Sequence, residues 1–129
     1  MQEIRASAED YLETIMILSS RNGAVRSVDI ACEMGVTKPS VCVAMRKLRE
    51  KNCVFMDAEG YITLLPKGRE IADRIYERHV VITELFVALG IPAEIAAEDA
   101  CRIEHVISPE SFAVIKARAI DAGLIRCAD

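Results

Sequence analysis

The chain has 129 residues, 52% of them hydrophobic and 28% charged, with a formal net charge of −4. That size and balance fit a compact domain with at most a small appendage and exclude a disordered chain, while the lack of Trp and an aromatic content of 5% exclude a stacking platform for single-stranded nucleic acid. Five cysteines form no Cys-x-x-Cys pair, no apolar signal core follows Met1, and no apolar run reaches about 18 residues, so a disulfide scaffold, a zinc ribbon and a membrane span are disfavoured and a cytoplasmic protein with reduced thiols is expected.

The predicted elements are a row of helices with one hairpin. The first helix is expected from Ser7 to about Ser20, with Ser7 as cap, Asp10 three residues on, and Tyr11, Leu12, Ile15 and Leu18 at helical spacing before Asn22-Gly23. A short second helix runs from Ser27 to Met34, with Ser27 as cap, Val28, Ile30 and Ala31 inward, and Gly35 at its left-handed end. The third helix runs from Thr37 to Lys51: Thr37 caps it, Pro39 lies in the first turn, and Val41, Ala44, Met45 and Leu48 face inward. Val54-Phe55-Met56 and Tyr61-Ile62-Thr63-Leu64 flank a Gly60-bearing turn and make a hairpin. Pro66 opens a long helix to Leu89, whose stripe is Ile71, Ile75, Ile82, Leu85, Phe86 and Leu89. A fifth helix follows Pro92 to about Val106, and a sixth follows Ser108-Pro109 to near Gly123.

Helix, helix, tight turn, helix and hairpin in that order predict a mainly α protein, with a winged helix-turn-helix over residues 1–65 and a helical domain over 66–129. Charge supports the first part. Residues 36–51 carry Lys38, Arg46, Lys47, Arg49 and Lys51 against Glu50 alone, a net +4, whereas residues 66–129 carry eight cations against eleven carboxylates. A basic stretch in an acidic protein points to a polyanion, here double-stranded DNA, although such a run also fits a solvated helix face. Thr37, Lys38, Ser40 and Val43 are expected nearest base edges, with Arg46 and Lys47 on phosphates. Ser27 and Pro39 complete the candidate DNA-binding set. The tip from Asp57 to Gly60 would approach the neighbouring backbone, weakly because it is acidic.

A second constellation points to metal. Cys101, Glu104 and His105 are spaced i, i+3, i+4 and project from one helix face. Thiolate, carboxylate and imidazole suit divalent transition metals. Asp10 and Glu13 form an i, i+3 carboxylate pair on the first helix, and His79 lies on the fourth. Singly, each has a plainer explanation: Cys101 as apolar filler, Glu104 and Glu13 as solvated residues, His105 as a helix-end histidine, Asp10 as a first-turn partner of the helix dipole. Their conjunction is what points to metal. Cys32, Cys42, Cys53 and Cys127 lack ligand-like neighbours one turn on and read as structural or incidental.

The stretches Glu9-Asp10-Tyr11-Leu12-Glu13, Gly35-Val36-Thr37-Lys38-Pro39-Ser40-Val41, Leu64-Leu65-Pro66-Lys67-Gly68, Arg78-His79 and Ala100-Cys101-Arg102-Ile103-Glu104-His105-Val106 resemble the diphtheria-toxin repressor and manganese transport regulator family over about residues 5–123. The resemblance implies a metal-activated, homodimeric transcriptional repressor of iron or manganese homeostasis genes that binds double-stranded operator DNA. It implies a dimer contact made by the fifth and sixth helices with the N-terminal part of the first, and the short form without an SH3-like domain. It places Asp10, Glu13, His79, Cys101, Glu104 and His105 at the family's metal positions. Two departures mix its branches: the manganese branch has a carboxylate at position 101, and the iron branch has methionine at position 10. The iron branch's second site also needs a carboxylate near Thr83 and a histidine near Ala97, and neither is present. The thiolate favours Fe(II), with Mn(II) next and Co(II), Ni(II) or Zn(II) as ions that bind in vitro. The alternatives are a metal-independent winged-helix regulator sensing redox state or a small molecule, a dimerisation module whose helix-turn-helix serves packing only, and a cysteine enzyme. The last is disfavoured because Cys101 and His105 on one helix are poorly placed as nucleophile and base.

Overall fold

The computed structural model describes residues 7–126. In chain order it holds α1 (Ala8–Asn22), α2 (Ser27–Met34), α3 (Lys38–Glu50), β1 (Val54–Met56), β2 (Ile62–Leu64), α4 (Pro66–Ala88), α5 (Ala93–Ile103) and α6 (Pro109–Asp121), the mainly α winged helix-turn-helix order expected. The chain divides into two compact units, Met1–Asp73 and Arg74–Asp129, with the division inside α4.

Capping explains where the helices of the first unit begin. Ser7 accepts the Asp10 N–H at 3.1 Å, and the Asp10 carboxylate accepts the Ser7 N–H at 2.9 Å, a reciprocal box that satisfies two orphan donors. Thr37 caps α3 by accepting from the Ser40 N–H at 3.3 Å, with proline in the first turn. At α2 the expectation is corrected: Arg26, not Ser27, is the N-cap, its N–H donating to Asp29 Oδ2 at 2.9 Å, and Ser27 is the first helical residue. Asp29 reaches back to the residue before Ser27 and so moves the cap by one position.

Leu12, Ile15, Ile30, Val41, Met45, Leu48 and Ile62 fill the core of this unit. Val28, expected inward, is 50% exposed. Two residues of helix separate it from buried Ile30 by about 200°, which puts the two on opposite faces. β1 and β2 pair antiparallel with Val54 opposite Leu64, Phe55 opposite Thr63 and Met56 opposite Ile62. The Ile62 N–H also reaches the Val25 carbonyl at 2.8 Å. Asp57 Oδ1 accepts the N–H groups of Glu59 at 3.0 Å and Tyr61 at 2.9 Å, so this acidic residue organises the turn itself. Arg26 lies over the Tyr61 ring at 4.8 Å and donates to the Glu59 carbonyl, tying the hairpin to the start of α2.

In the second unit Val81, Ile82, Ala100, Phe112, Ala119 and Ile125 form the core. Leu89, expected in the stripe of α4, is 63% exposed because the helix ends at Ala88 and Gly90 (φ 105°) turns the chain. The fifth helix also stops earlier than expected, at Ile103 rather than near Val106. Arg78 supplies the reason: its Nη1 donates to the carbonyl oxygens of Glu104 at 3.0 Å and Ile107 at 2.9 Å, and the Val106 N–H turns back to the Ile103 carbonyl at 3.0 Å. Ser108 then caps α6 through the Ser111 N–H.

Candidate metal centre and nucleic-acid interface

The metal candidates in the second unit come from α4 and from the end of α5. Ala96, Ala100 and Glu104 recur every four residues and each is 0% exposed, so Glu104 continues an apolar buried stripe with a carboxylate. Its Oε2 lies 3.1 Å from His79 Nδ1. Its Oε1 lies 3.3 Å from His105 Nε2, yet it is one of two buried side-chain polar atoms, with Thr83 Oγ1, that lack a hydrogen-bond partner among the described residues. Cys101 Sγ is 3.8 Å from the same His79 nitrogen. Cys101 is exposed, contrary to the apolar-filler explanation, and Glu104 is buried, contrary to the solvated one.

A carboxylate buried this completely requires compensating positive charge. Without an ion, His79 supplies it. Hydrogen bonds to Cys101 and Glu104 and the negative charge near it raise its pKa from 6.5 to about 10, against a lowering by desolvation. Donor atoms of His79, Cys101 and Glu104 all lie within 4.8 Å of one another. One transition ion at about 2.0–2.3 Å from each donor fits that spacing. Oε1, approached by His105 but without a hydrogen bond, is a further acceptor where a cation is wanted. Imidazole, thiolate and carboxylate together make a donor set of mixed softness.

Asp10 and Glu13 stand in the first unit, both half-buried on α1, and Asp10 is the residue that closes the cap. Arg78 is the functional residue that spacing does not mark. It is 7% exposed, binds the Glu104 carbonyl and lies over the Phe112 ring at 5.6 Å, so it fixes the segment that carries Glu104 and His105. Its one sequence signal is its place beside His79.

On α3, Lys38, Pro39, Ser40, Val43, Arg46 and Lys47 are exposed, as are Cys42 and Arg49, which the sequence pattern does not single out for DNA. Thr37 is exposed at the cap and shares a 2.8 Å hydrogen bond between its hydroxyl and that of Ser40; Ser27 is half-buried at the start of α2. No ion pair among the described residues involves Lys38, Arg46, Lys47 or Arg49, so the helix presents uncompensated cations.

Two family descriptions match almost end to end: "Iron dependent repressor, N-terminal DNA binding domain" over residues 3–66 and "Iron dependent repressor, metal binding and dimerisation domain" over residues 65–119. The chain belongs to the iron-dependent repressor family of metal-dependent transcriptional regulators. Among relatives of this family, the transcriptional regulator MntR of Salmonella typhimurium is 33% identical over 84% of this chain and 69% of its own length. An uncharacterised HTH-type transcriptional regulator of Methanocaldococcus jannaschii is 31% identical over 85% and 90% respectively. The crystal structure of T. acidophilum IdeR aligns with a TM-score of 0.77 at 27% identity over 97% of this chain, and a manganese-dependent repressor in complex with manganese aligns with a TM-score of 0.77 at 28% identity over 87%. The chain spans 56% and 52% of the chains in those two structures. These relatives are regulators, not enzymes. Among the described residues, no helix is long and apolar enough to cross a membrane.

Proposed function

We propose that this iron-dependent repressor family member is a homodimeric repressor that binds double-stranded operator DNA when a divalent transition metal is bound, and that it governs iron or manganese homeostasis genes. The observation that carries the reading is Glu104: a fully buried carboxylate that meets His79 through one oxygen and, at the other, has the approach of His105 at 3.3 Å but no hydrogen bond. His79, Cys101, Glu104 and His105 would hold the ion, and the resemblance to the family adds Asp10 and Glu13. When bound, the ion supplies the positive charge that the buried carboxylate and the thiolate require. Fe(II) is favoured by the sulfur ligand, with Mn(II) next.

The protein residues do the rest. Arg78 sets the position of the Glu104 main chain, His79 must give up its proton to ligate, and α3 presents Lys38, Arg46 and Lys47 to phosphates with Thr37, Pro39, Ser40 and Val43 near base edges, flanked by Ser27 at the start of α2. Control is by linkage. A tenfold preference of metal for the DNA-competent form is worth about 1.4 kcal/mol, and moving a population from mostly off to mostly on takes about 5.5 kcal/mol, which two subunits with several ligands each can supply. By reciprocity, operator DNA tightens metal binding.

The test is metal content after anaerobic purification, followed by DNA binding with each candidate ion. Retention of Fe(II) or Mn(II) and metal-dependent DNA binding support the reading; equal binding in strong chelator overturns it. The rival, a redox regulator independent of metal, finds support in exposed Cys101 beside His79 and predicts binding that survives chelator but not peroxide.

A further inference from the structure

The first unit holds a groove of about 480 Å³ between the C-terminal half of α3 and β1, its walls including Arg46, Arg49, Glu50, Asn52, Phe55 and Met56. Phe55 is 56% exposed although it sits in the middle of a strand. Alternation along β1 explains its direction: Val54 points into the core at 2% exposed, so Phe55 points away. The register places Thr63 opposite, so no apolar cross-strand partner covers the ring. Arg46 and Arg49 are exposed and enter none of the ion pairs among the described residues. The groove thus joins a bare aromatic ring to two uncompensated guanidinium groups, with Glu50 as its one carboxylate.

We propose that this groove seats the sugar–phosphate backbone of the DNA duplex alongside α3, with Arg46 and Arg49 on phosphate oxygens and Phe55 against deoxyribose. The proposal rests on the DNA-binding reading of α3 and extends it to β1. Three observations select this occupant. The first is charge: two cations against one carboxylate favour an anionic chain. The second is continuity, because Lys38, Cys42 and Arg46 recur every four residues on one exposed face, and Arg46 is shared by that face and the groove. The third is reach. The eleven steps from Lys38 to Arg49 span about 16 Å of helix, more than the roughly 12 Å width of the major groove. Side chains near the N-terminus of α3 therefore address base edges while Arg49 lies past them, at the level of a strand. The hairpin tip is the poorer partner for the DNA backbone: it carries Asp57 and Glu59, and Asp57 is engaged in its own turn.

The full chain loaded with Mn(II) is titrated onto a short fluorescent duplex of mixed sequence at several salt concentrations, since phosphate binding needs no particular operator. Arg49→Ala is expected to weaken binding and to lower the slope of log K against log salt by about 0.9 for each phosphate that the protein no longer neutralises. Phe55→Ala is expected to weaken binding several-fold at every salt concentration with the slope unchanged, because it removes an uncharged group. Glu50→Gln is expected to tighten binding, a gain that misfolding does not produce. Wild-type affinity and slope in both Arg49→Ala and Phe55→Ala overturn the proposal. So does a change of oligomeric state on Phe55→Ala without a change of affinity, which would make the groove an interface between copies of the chain. Failure of the wild-type protein to bind any duplex is a separate result and removes the DNA-binding reading itself.

Discussion

Arg78 and Glu104 are joined through the main chain while their charged groups do different work: the Arg78 guanidinium binds the Glu104 carbonyl at 3.0 Å, and the Glu104 carboxylate turns to His79. Arg78 also binds the Ile107 carbonyl at 2.9 Å and is itself buried. One side chain thereby satisfies two acceptors where α5 ends and holds the segment bearing two metal candidates.

Arg78→Met should therefore destabilise the metal-free protein by about 3 kcal/mol, since it strips one buried and one half-buried carbonyl of a charged donor. It should also weaken metal binding with every ligand residue intact. Chemical denaturation with and without Mn(II) measures both. An unchanged unfolding midpoint in the metal-free variant would show that water replaces the guanidinium without cost.

His79 gives opposite pH dependences with and without metal. Its pKa is about 10 in the folded metal-free protein against an ordinary 6.5, so the charged imidazole stabilises that form fully below pH 6.5, and the contribution is lost as pH rises toward 10. Metal needs the neutral ring, so binding near pH 7 should expel the His79 proton, and affinity should rise with pH until that proton is gone. Calorimetry in two buffers of different ionisation heat counts the released protons. His79→Gln should release about one fewer and flatten the alkaline loss of metal-free stability.

The helices and hairpin are legible because their signals are local: Ser7, Thr37 and Ser108 each cap a helix within three residues, and Gly35 closes α2 at φ 65°. The shift from Ser27 to Arg26 is not, because Asp29 bonds to the residue before the expected cap. The grouping of Cys101 and Glu104 is visible in their one-turn spacing. That His79 meets them is an approach across 25 residues of chain that no periodicity encodes, and here it comes through the family resemblance. The burial of Glu104 runs against what composition predicts for a carboxylate. Arg78 enters only as the neighbour of His79 in the family resemblance, and its role stays hidden because its partners are carbonyl groups, which leave no trace in side-chain chemistry.

Among the glycines of the first unit, Gly68 has the least room for a side chain. A Cβ built there would lie 2.1 Å from the Cys53 carbonyl oxygen, which already accepts the Leu65 N–H at 2.9 Å. Backbone on both sides leaves little room to relax. Gly68→Ala should cost about 3 kcal/mol or more, the upper range for overpacking, despite alanine's better helix propensity. Thermal unfolding measures it; a variant at wild-type stability would mean that the start of α4 and Cys53 separate freely.

Cys101 should decide metal preference. It is the one sulfur in the cluster with His79 and Glu104, and sulfur favours softer ions over Mn(II). Cys101→Glu replaces it with oxygen donors and should shift selectivity toward Mn(II) relative to Zn(II) and Fe(II), even if absolute affinities fall. Competition between Mn(II) and Zn(II) under anaerobic conditions reads the ratio directly. Co(II) gives a second readout, since sulfur ligation produces a near-ultraviolet charge-transfer band that the variant should lack. An unaltered selectivity together with an unaltered Co(II) spectrum would place the Cys101 sulfur outside the coordination sphere and leave His79, Glu104 and His105 to define the centre.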